Sequence, residues 1–412
     1  MNPIRIDPNL KYLEGTQRVF DPETTLANTT KLLPKIGVTR IANITDLDRV
    51  GIPVFSAIRP SAANGAISIY SGKGATETNA RISAIMESFE RCLAEQPEVS
   101  INLSGIDIKT ERTIDTYESL SENYPALYPD ALLLPQPVAE FTSLEWVMGY
   151  DMMNEVEVFV PANAVFHPYD PQGANKLFRS NTNGLASGNT IEEAILHGLL
   201  EVIERDALSI AEYTRNPGKE IILTENDGLN YELKMKIEEA GIKVKVWLLD
   251  SDVEIPTVVV ALDDTVLKDP ALLVMGAGAH LSPEIAVTRA ITEAAQSRVV
   301  QIHGAREDTD RERVVRTFGY DHMKKMNSYW YEDMESLHMD ELEDQSGDTP
   351  AENIKTVFQR LETAAQGAII VDLSREVKIP VIRAIIPMFE LYTLDRERKG
   401  DRIKKKKKRV PR

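Results

Sequence analysis

The sequence predicts a fold of the α+β class, in which strands and helices do not follow a regular βαβ alternation. Three β-rich runs, KVKVWLLD, PTVVVALDD and ALLVMGAGAH, follow one another in the second half of the chain. Other segments carry apolar residues at helical spacing. With 412 residues, the chain has the length of two or three ordinary domains, or of one large domain with insertions.

Periodicity, turn residues and proline position the individual elements. Proline suits the first turn of a helix, so the helix after the third β-rich run is expected to begin at Pro283. In chain order the elements are a glycine-rich turn and helix over 71–94, strand-like INLSGIDI and VEVFVPANAVF around the turn SENYPALYPD, the helix LNYELKMKIEEAG, the three β-rich runs, the helix PEIAVTRAITEAAQSRVVQIHG and the strand VKIPVIRAIIPMF.

We assign residues 1–395 to one catalytic domain and residues 396–412 to a basic C-terminal tail. Within the domain, residues 332–353 are acidic and rich in turn formers, which predicts a mobile surface insertion. The tail, DRIKKKKKRVPR, is either a disordered, solvated segment or an electrostatic arm for RNA or an acidic partner.

The composition favours a cytoplasmic protein that neither spans a membrane nor binds nucleic acid over its whole surface. Its net charge is −17, and no apolar run approaches the ~20 residues that cross a bilayer. The N-terminus MNPIRIDPNLKYLEGTQ lacks the apolar core of a secretory signal. A single cysteine, Cys92, excludes an intramolecular disulfide and a cysteine-based zinc cluster.

A turn-helix unit occurs twice in the chain and partly a third time. GATETNARISAIMESFER, from Gly74, aligns without gaps with GNTIEEAILHGLLEVIER, from Gly188, and both copies end in ExxER. AVTRAITEAAQSR, from Ala286, keeps the alanine and glutamate spacing and has Gln296 at the position of the second glutamate. We interpret these segments as an internal repeat.

Each copy is apolar on one face and acidic on another. At 100° per residue, one face of the first copy carries Ser83, Glu87, Glu90 and Arg91. The corresponding face of the second copy carries the side chains of Glu193, His197, Glu201 and Glu204. These faces either point to water or converge on one another, and the repetition of ExxER at fixed spacing favours convergence.

Convergent carboxylates predict a cation site. Two like charges ~4 Å apart cost roughly 4 kcal/mol at an effective dielectric constant of 20. Oxygen ligands without cysteine favour Mg²⁺, Mn²⁺ or Ca²⁺ over zinc, and Mg²⁺ commonly binds together with phosphates. Five carboxylates are therefore candidate metal ligands: Glu87, Glu193, Glu201, Glu204 and Glu293.

Phosphate-binding features accompany the acidic faces. The loop SGKGAT at 71–76, with Lys73, precedes a helix and is a candidate phosphate site, although it is not a Walker A loop and is also typical of a plain capped turn. Arg91, Arg205 and Arg298 either neutralise a triphosphate or form ordinary salt bridges. Cys92 is a buried small residue or a catalytic thiol, and His197 suits helix packing better than metal ligation. We assign no side chain as nucleophile.

Three segments closely resemble the signature helices of the YcaO family: SAIMESFER (83–91), NGLASGNTIEEAILHGLLEVIERDA (183–207) and AVTRAITEAAQSR (286–298). The resemblance implies a YcaO-type fold, with mixed β-sheets and acidic helices around a nucleotide. It further implies that ATP activates a peptide amide by O-phosphorylation. A Cys, Ser or Thr side chain then attacks to give an azoline, or sulfide attacks to give a thioamide.

The family's site residues carry over onto matching positions of this chain. The five glutamates above are implied as ligands of Mg²⁺. An N-terminal element, GTQRVFDPETT, resembles the family segment that closes over the nucleotide. Ala186 departs from the pattern, because some relatives have a polar nucleotide contact there. The implied nucleotide contacts are Arg18, Thr25, Ser83, Glu90, Arg91, Asn189, Arg205, Gln296 and Arg298.

The end of the chain separates the branches of the family. Azoline-forming relatives typically end in PxPxP, whereas this chain ends in KKKKKRVPR, and no fused peptide-clasp domain is evident. Both features favour the thioamide branch, which resembles the methanogen enzymes that form thioglycine in the alpha subunit of methyl-coenzyme M reductase, often with a TfuA-type partner. The resemblance also implies a homodimer. Azoline-forming cyclodehydration and a catalytically idle nucleotide-binding protein are the alternatives.

Overall fold

The computed structural model describes residues 4–13, 17–97, 112–304, 311–375 and 377–407, and the predicted strand INLSGIDI lies outside them. The α+β prediction is confirmed. The helices are α1 (Pro22–Thr30), α2 (Glu77–Leu93), α3 (Tyr117–Ser121), α4 (Ile191–Thr214), α5 (Leu229–Glu239), α6 (Pro283–His303), α7 (Arg311–Phe318), α8 (Tyr320–Met326), α9 (Pro350–Leu361) and α10 (Asp401–Lys407). The strands are β1 (Arg40–Asn43), β2 (Val54–Ile58), β3 (Ile69–Lys73), β4 (Arg112–Asp115), β5 (Leu144–Asp151), β6 (Val156–Pro161), β7 (Leu185–Ser187), β8 (Lys219–Ile222), β9 (Ile242–Leu248), β10 (Thr257–Asp264), β11 (Val274–Ala279), β12 (Ser336–His338), β13 (Ile369–Asp372) and β14 (Val381–Ile385).

The described strands form three sheets. The first has the order β1-β2-β3 and the second β11-β10-β9-β8-β12. The third has the order β4-β5-β13-β14-β7, and β6 pairs with β5. Neighbouring strands are antiparallel except β12, which runs parallel to β8. No helix in the described part of the chain is long and apolar enough to cross a bilayer.

The internal repeat is a strand-turn-helix unit. The three copies are β3–α2, β7–α4 and β11–α6, and in each the strand is separated from its helix by a three-residue turn: 74–76, 188–190 and 280–282. Thr76 and Thr190 cap the first two helices, accepting hydrogen bonds from Asn79 N and Glu193 N at 3.2 and 3.3 Å. Each sheet therefore supplies one strand that positions one acidic helix.

Glycines bring two of these helices into direct contact with their strands. A Cβ at Gly72 would lie 2.4 Å from Ala80 O and 1.9 Å from Ala84 N. A Cβ at Gly278, in the third copy, would lie 2.4 Å from Ala286 O and 2.9 Å from Ala290 N. Only glycine permits this separation, so the same close packing fixes α2 and α6 on their sheets.

Residues 332–353, predicted to be a mobile surface insertion, contribute a strand and part of a helix to the fold. This segment contains β12, which completes the second sheet, and its Leu337 is buried in the core beneath that sheet. Thr349 then caps α9 by accepting from Glu352 N. The acidic side chains are exposed, but the apolar side chains between them supply enough burial to order the segment.

The C-terminal segment also differs from the expectation of a free tail beginning at residue 396. Ile403 is fully buried, and Arg402 donates to both carboxylate oxygens of Asp206, at 2.9 and 2.8 Å. Asp206 lies on α4 and is itself inaccessible to solvent. The start of α10, with Arg402 and Ile403, is therefore part of the folded domain.

Candidate active site

The three repeat helices bring glutamates to one place, which we call the carboxylate site. Ion pairs connect residues of two of these helices: the guanidinium of Arg205, on α4, lies 3.3 Å from the carboxylate of Glu204 and 3.8 Å from that of Glu293, on α6. The charges of Glu204 and Glu87 also act on Glu201. The site consists of Glu87 and Glu90 from α2, Glu201 and Glu204 from α4, and Glu293 from α6.

Cationic side chains are interleaved with these carboxylates. Lys73, the last residue of β3, is paired with Glu293. Arg91 lies 2.6 Å from Glu87, one turn earlier on α2. Lys73, Arg91 and Arg205, which the sequence predicts to contact phosphate, are thus each paired with a carboxylate of the site.

Burial shifts the proton affinity of the acidic groups. Burial raises the pKa of Glu201 to about 7; the charge of Arg205 opposes this shift, and the charges of Glu204 and Glu87 add to it. Burial and the charge of Glu87 raise the pKa of Glu90 well above its usual value, although Ser187 donates to Glu90 from its N and Oγ, at 2.9 and 2.7 Å. Glu201 and Glu90 therefore hold their protons more tightly than exposed glutamates do.

The donor chemistry fits divalent cations. All the candidate ligands are carboxylate oxygens, which Mg²⁺ prefers. Within the described ranges, no three acidic, histidine or cysteine side chains are already arranged to hold a metal ion. Lys73 and Arg205 pair instead with the carboxylate of Glu293. The glutamates of the site would hold a divalent cation, which would supply neutralisation of phosphate charge.

We expect divalent-cation binding at this site to release protons near neutral pH. Because the pKa of Glu201 is raised to about 7, the carboxyl is largely protonated at pH 6 and ionised at pH 8. Mg²⁺ affinity should therefore rise with pH across this interval. Calorimetric titration of Mg²⁺, with a non-hydrolysable nucleotide, in two buffers of different ionisation enthalpy measures the protons released. Equal heats in both buffers at pH 6.5 would contradict the assignment.

Glu193 is placed differently from the other predicted ligands. Its carboxylate accepts from Val19 N at 2.7 Å, and from Asn189 N and Nδ2, both at 3.0 Å. Thr25 Oγ1 in turn donates to Asn189 Oδ1 at 2.9 Å. Glu193 thus fastens the N-terminal segment, which carries Arg18, to the second repeat turn, and both of its carboxylate oxygens are already engaged.

Arg298 does not reach the carboxylate site, contrary to its prediction as a nucleotide contact. Its side chain is inaccessible to solvent and donates to Asp48 at 2.8 and 3.1 Å and to Asp264 at 3.1 Å. It ties α6 to β10 and to the loop before β2. Gln296, one turn after Glu293, donates to Ser71 O and so joins α6 to β3.

Four further residues of the repeat segments are placed as follows. Glu192 and Asp206, the remaining acidic residues of α4's repeat segment, are both buried: the carboxylate of Glu192 accepts from Asp7 N at 2.9 Å, and that of Asp206 pairs with Arg402. Ala186, the position of the missing polar contact, is fully buried in the core. Ser83 lies on α2 one turn before Glu87, as predicted.

The sequence analysis missed Arg289. Its Nη2 donates to His197 Nε2 at 3.1 Å, and burial together with the charge of Arg289 lowers the pKa of His197 well below its usual value. Arg289 also acts electrostatically on Glu204 and Glu293. The repeat contains the signal that identifies it, since Arg289 occupies the position of Ser83 and His197 in the third copy.

Comparisons with known proteins agree with this geometry. A model of the YcaO cyclodehydratase family, described as ATP- and Mg²⁺-binding, matches residues 71–390. An uncharacterized protein of Methanothermobacter thermautotrophicus is 48% identical over 388 residues, covering 93% of this chain and 97% of that protein. The structure of YcaO from Methanopyrus kandleri bound with AMPPCP and Mg²⁺ is 30% identical, covers 93% of this chain and 95% of its own, and superposes with a TM-score of 0.76. A protein from the tfuA 3′ region of Rhizobium leguminosarum bv. trifolii is 32% identical over 305 residues, covering 71% of this chain and 69% of that protein.

Proposed function

The chain belongs to the YcaO family, which binds ATP and Mg²⁺, and we propose that it uses them to convert a peptide backbone amide into a thioamide. ATP phosphorylates the amide oxygen, sulfide attacks the amide carbon, and phosphate leaves as the thioamide forms. The observation that carries the proposal is the carboxylate site with its interleaved Lys73, Arg91 and Arg205.

The described side chains suit phosphoryl transfer, which depends on positioning and charge neutralisation more than on covalent protein chemistry. Mg²⁺, when bound, neutralises phosphate charge. Glu87, Glu201, Glu204 and Glu293 are its proposed ligands, and Glu193 holds the N-terminal segment against the same helix. Arg91 and Arg205, which pair with glutamates of the site, would contact the phosphates of the nucleotide.

No side chain of the protein acts as nucleophile in the proposal. Cys92, one residue beyond Arg91, is half-buried, and burial raises the pKa of its thiol. A raised pKa lowers the fraction of thiolate, which is the reactive form. This supports an external nucleophile rather than a covalent enzyme intermediate.

The substrate and partners follow from the thioamide branch. We propose formation of thioglycine in the alpha subunit of methyl-coenzyme M reductase, by a homodimer working with a TfuA-type partner. The 48% identity to a protein of Methanothermobacter thermautotrophicus, a methanogen, supports this substrate. The relative from a tfuA 3′ region supports this partner.

A second candidate is azoline-forming cyclodehydration, which the description of the matching family as a cyclodehydratase favours. A catalytically idle nucleotide-binding protein is the third.

The mass of a treated peptide separates the three functions. We expect the purified protein, given Mg-ATP, sulfide and a peptide with the target glycine, to exchange one oxygen for one sulfur. Loss of one water from a peptide containing Cys, Ser or Thr would instead establish the cyclodehydratase. If neither product forms in the presence of the partner protein, the idle alternative holds.

A further inference from the structure

The N-terminal segment, which is the described part of the chain before α1, is anchored to the folded domain through its main chain. Tyr12 N donates to Asp348 O, just before α9, at 3.1 Å. Closer to α1, Val19 N donates to the carboxylate of Glu193 on α4 at 2.7 Å. The segment is therefore fixed both to the start of α9 and to one of the repeat helices.

Asn353, on α9, holds the same segment through side chains. It is fully buried, and its Oδ1 accepts from Gly347 N at 2.6 Å. Because a backbone N–H can only donate, this contact identifies the oxygen end of the carboxamide, and the Nδ2 end faces the segment. Nδ2 donates to Tyr12 Oη at 3.2 Å and to Gln17 Oε1 at 2.9 Å. Asn353 is thus oriented from one end and orients two side chains of the segment from the other.

Arg18 lies between these anchors. The side chain of the residue before it is held by Asn353, and the main chain of the residue after it is held by Glu193. The carbonyl of Arg18 itself accepts from Leu13 N at 2.8 Å. Arg18 is nevertheless exposed. Its place in the structure is therefore set by hydrogen bonds on both sides of it in the chain, and not by burial of its own side chain.

The anchored Arg18 lies beside the second and third repeat helices. Burial, the charge of Arg289 and the charge of Arg18 together lower the pKa of His197, which lies one turn after Glu193 on α4. The same three causes lower the pKa of His280, in the turn before α6, to about 3. Arg289 donates to His197 and acts on two glutamates of the carboxylate site. Arg18 is therefore fixed on the side of the carboxylate site at which Arg289 lies.

We propose that Asn353 is a positioning residue of the nucleotide site, which acts through Gln17 and Tyr12 to hold Arg18 where it pairs with phosphate oxygens of ATP. The inference rests on the part of the proposed function in which Arg18 contacts the nucleotide, and it does not depend on the thioamide product. A guanidinium pairs with phosphate through two parallel hydrogen bonds, which require a defined approach. A main chain that is fixed before the ligand arrives avoids the loss of affinity that ordering a flexible segment would cause.

Nucleotide affinity tests the proposal without any peptide substrate. In calorimetric titrations of the full chain with AMPPCP and Mg²⁺, we expect Arg18→Ala and Asn353→Ala each to raise the Kd about tenfold. Gln359→Ala is the matched control, because it removes an exposed amide from the same helix, and it should leave the Kd unchanged. An unchanged Kd in either Arg18→Ala or Asn353→Ala would overturn the proposal.

The double variant Arg18→Ala/Asn353→Ala separates positioning from a general loss of stability. Two residues that act through one contact give non-additive effects. If Asn353 acts through Arg18, the double variant should bind AMPPCP no more weakly than Arg18→Ala alone. A further tenfold loss in the double variant would mean that Asn353 supports nucleotide binding independently of Arg18, and this result would also overturn the proposal.

A variant of the segment keeps the test available if Asn353→Ala does not fold. Tyr12→Phe/Gln17→Leu removes the two acceptors of Asn353 Nδ2 and leaves the residues of α9 in place. We expect it to raise the Kd for AMPPCP as much as Asn353→Ala would, and an unchanged Kd would contradict the positioning role. Failure of the proposed function is distinguishable, because it appears as absence of thioamide from an unmodified protein that still binds AMPPCP.

Discussion

Glu201→Gln is expected to lower the rate of ATP-dependent peptide modification by at least ~10²–10³-fold, or about 3–4 kcal/mol of transition-state stabilisation. Glu201 lies centrally in the carboxylate site, where the charges of Glu204 and Glu87 act on it. Glutamine keeps the shape of the side chain but removes one anionic ligand. The measurement is single-turnover product formation with saturating Mg-ATP, followed by mass spectrometry.

The same variant should fold at least as stably as the unmodified protein. The folded-state pKa of Glu201 is raised to about 7, above its usual value, so ionisation of this carboxyl destabilises the folded protein as pH rises between those values. Glutamine does not ionise, and its free energy of unfolding at pH 8 should be unchanged or higher. Glu77→Gln, at an exposed position of the same repeat's first helix, is the matched control and should retain full activity. An active Glu201→Gln variant would refute the metal-ligand assignment.

Arg402→Leu is expected to lower the free energy of unfolding by about 3–5 kcal/mol, because it leaves a buried carboxylate without its cation. Asp206 is inaccessible to solvent, and Arg402 occupies both of its oxygens. Glu390 N still donates to Asp206 Oδ1 at 2.8 Å, which places the effect toward the lower end of this range. Chemical denaturation monitored by far-ultraviolet circular dichroism measures the change.

Lys404→Leu provides the matched control on α10, since the carboxylate that pairs with Lys404 in the described structure is that of the exposed Asp401, on the same helix. It should change the free energy of unfolding by less than ~1 kcal/mol. The double variant Asp206→Leu/Arg402→Leu should recover much of the loss, because it removes both buried charges together. If Arg402→Leu and Lys404→Leu behave alike, α10 is not docked on α4 in solution.

The local sequence pattern was sufficient to predict the repeat and the acidic faces of its helices. The ExxER spacing and the glycine turns specify α2 and α4 through short-range helical geometry. The repetition of this pattern led to the prediction that the acidic faces of the helices converge. Pro283 likewise begins α6 as predicted. Position in the repeat also identifies Arg289, although its chemistry differs from that of Ser83 and His197.

The failures are all contacts between residues far apart in the chain. Arg298 pairs with Asp48, 250 positions away, and Asp206 with Arg402, 196 positions away. Helical periodicity identifies the face on which a side chain lies but not the residue that packs against it. The sequence therefore could not distinguish Arg298, which pairs with distant aspartates, from Arg91 and Arg205, which pair with glutamates of the carboxylate site. In 332–353, the acidic composition predicted an exposed segment and gave no indication that Leu337 packs β12 onto the core.

The three copies place a glutamate at the same helical position, as Glu87, Glu201 and Glu293. One turn earlier the copies differ, because the first has the hydroxyl of Ser83, the second the imidazole of His197 and the third the guanidinium of Arg289. The hydrogen bond between Arg289 Nη2 and His197 Nε2 joins α6 to α4. The three repeat helices are therefore alike in their carboxylates but are not interchangeable around them.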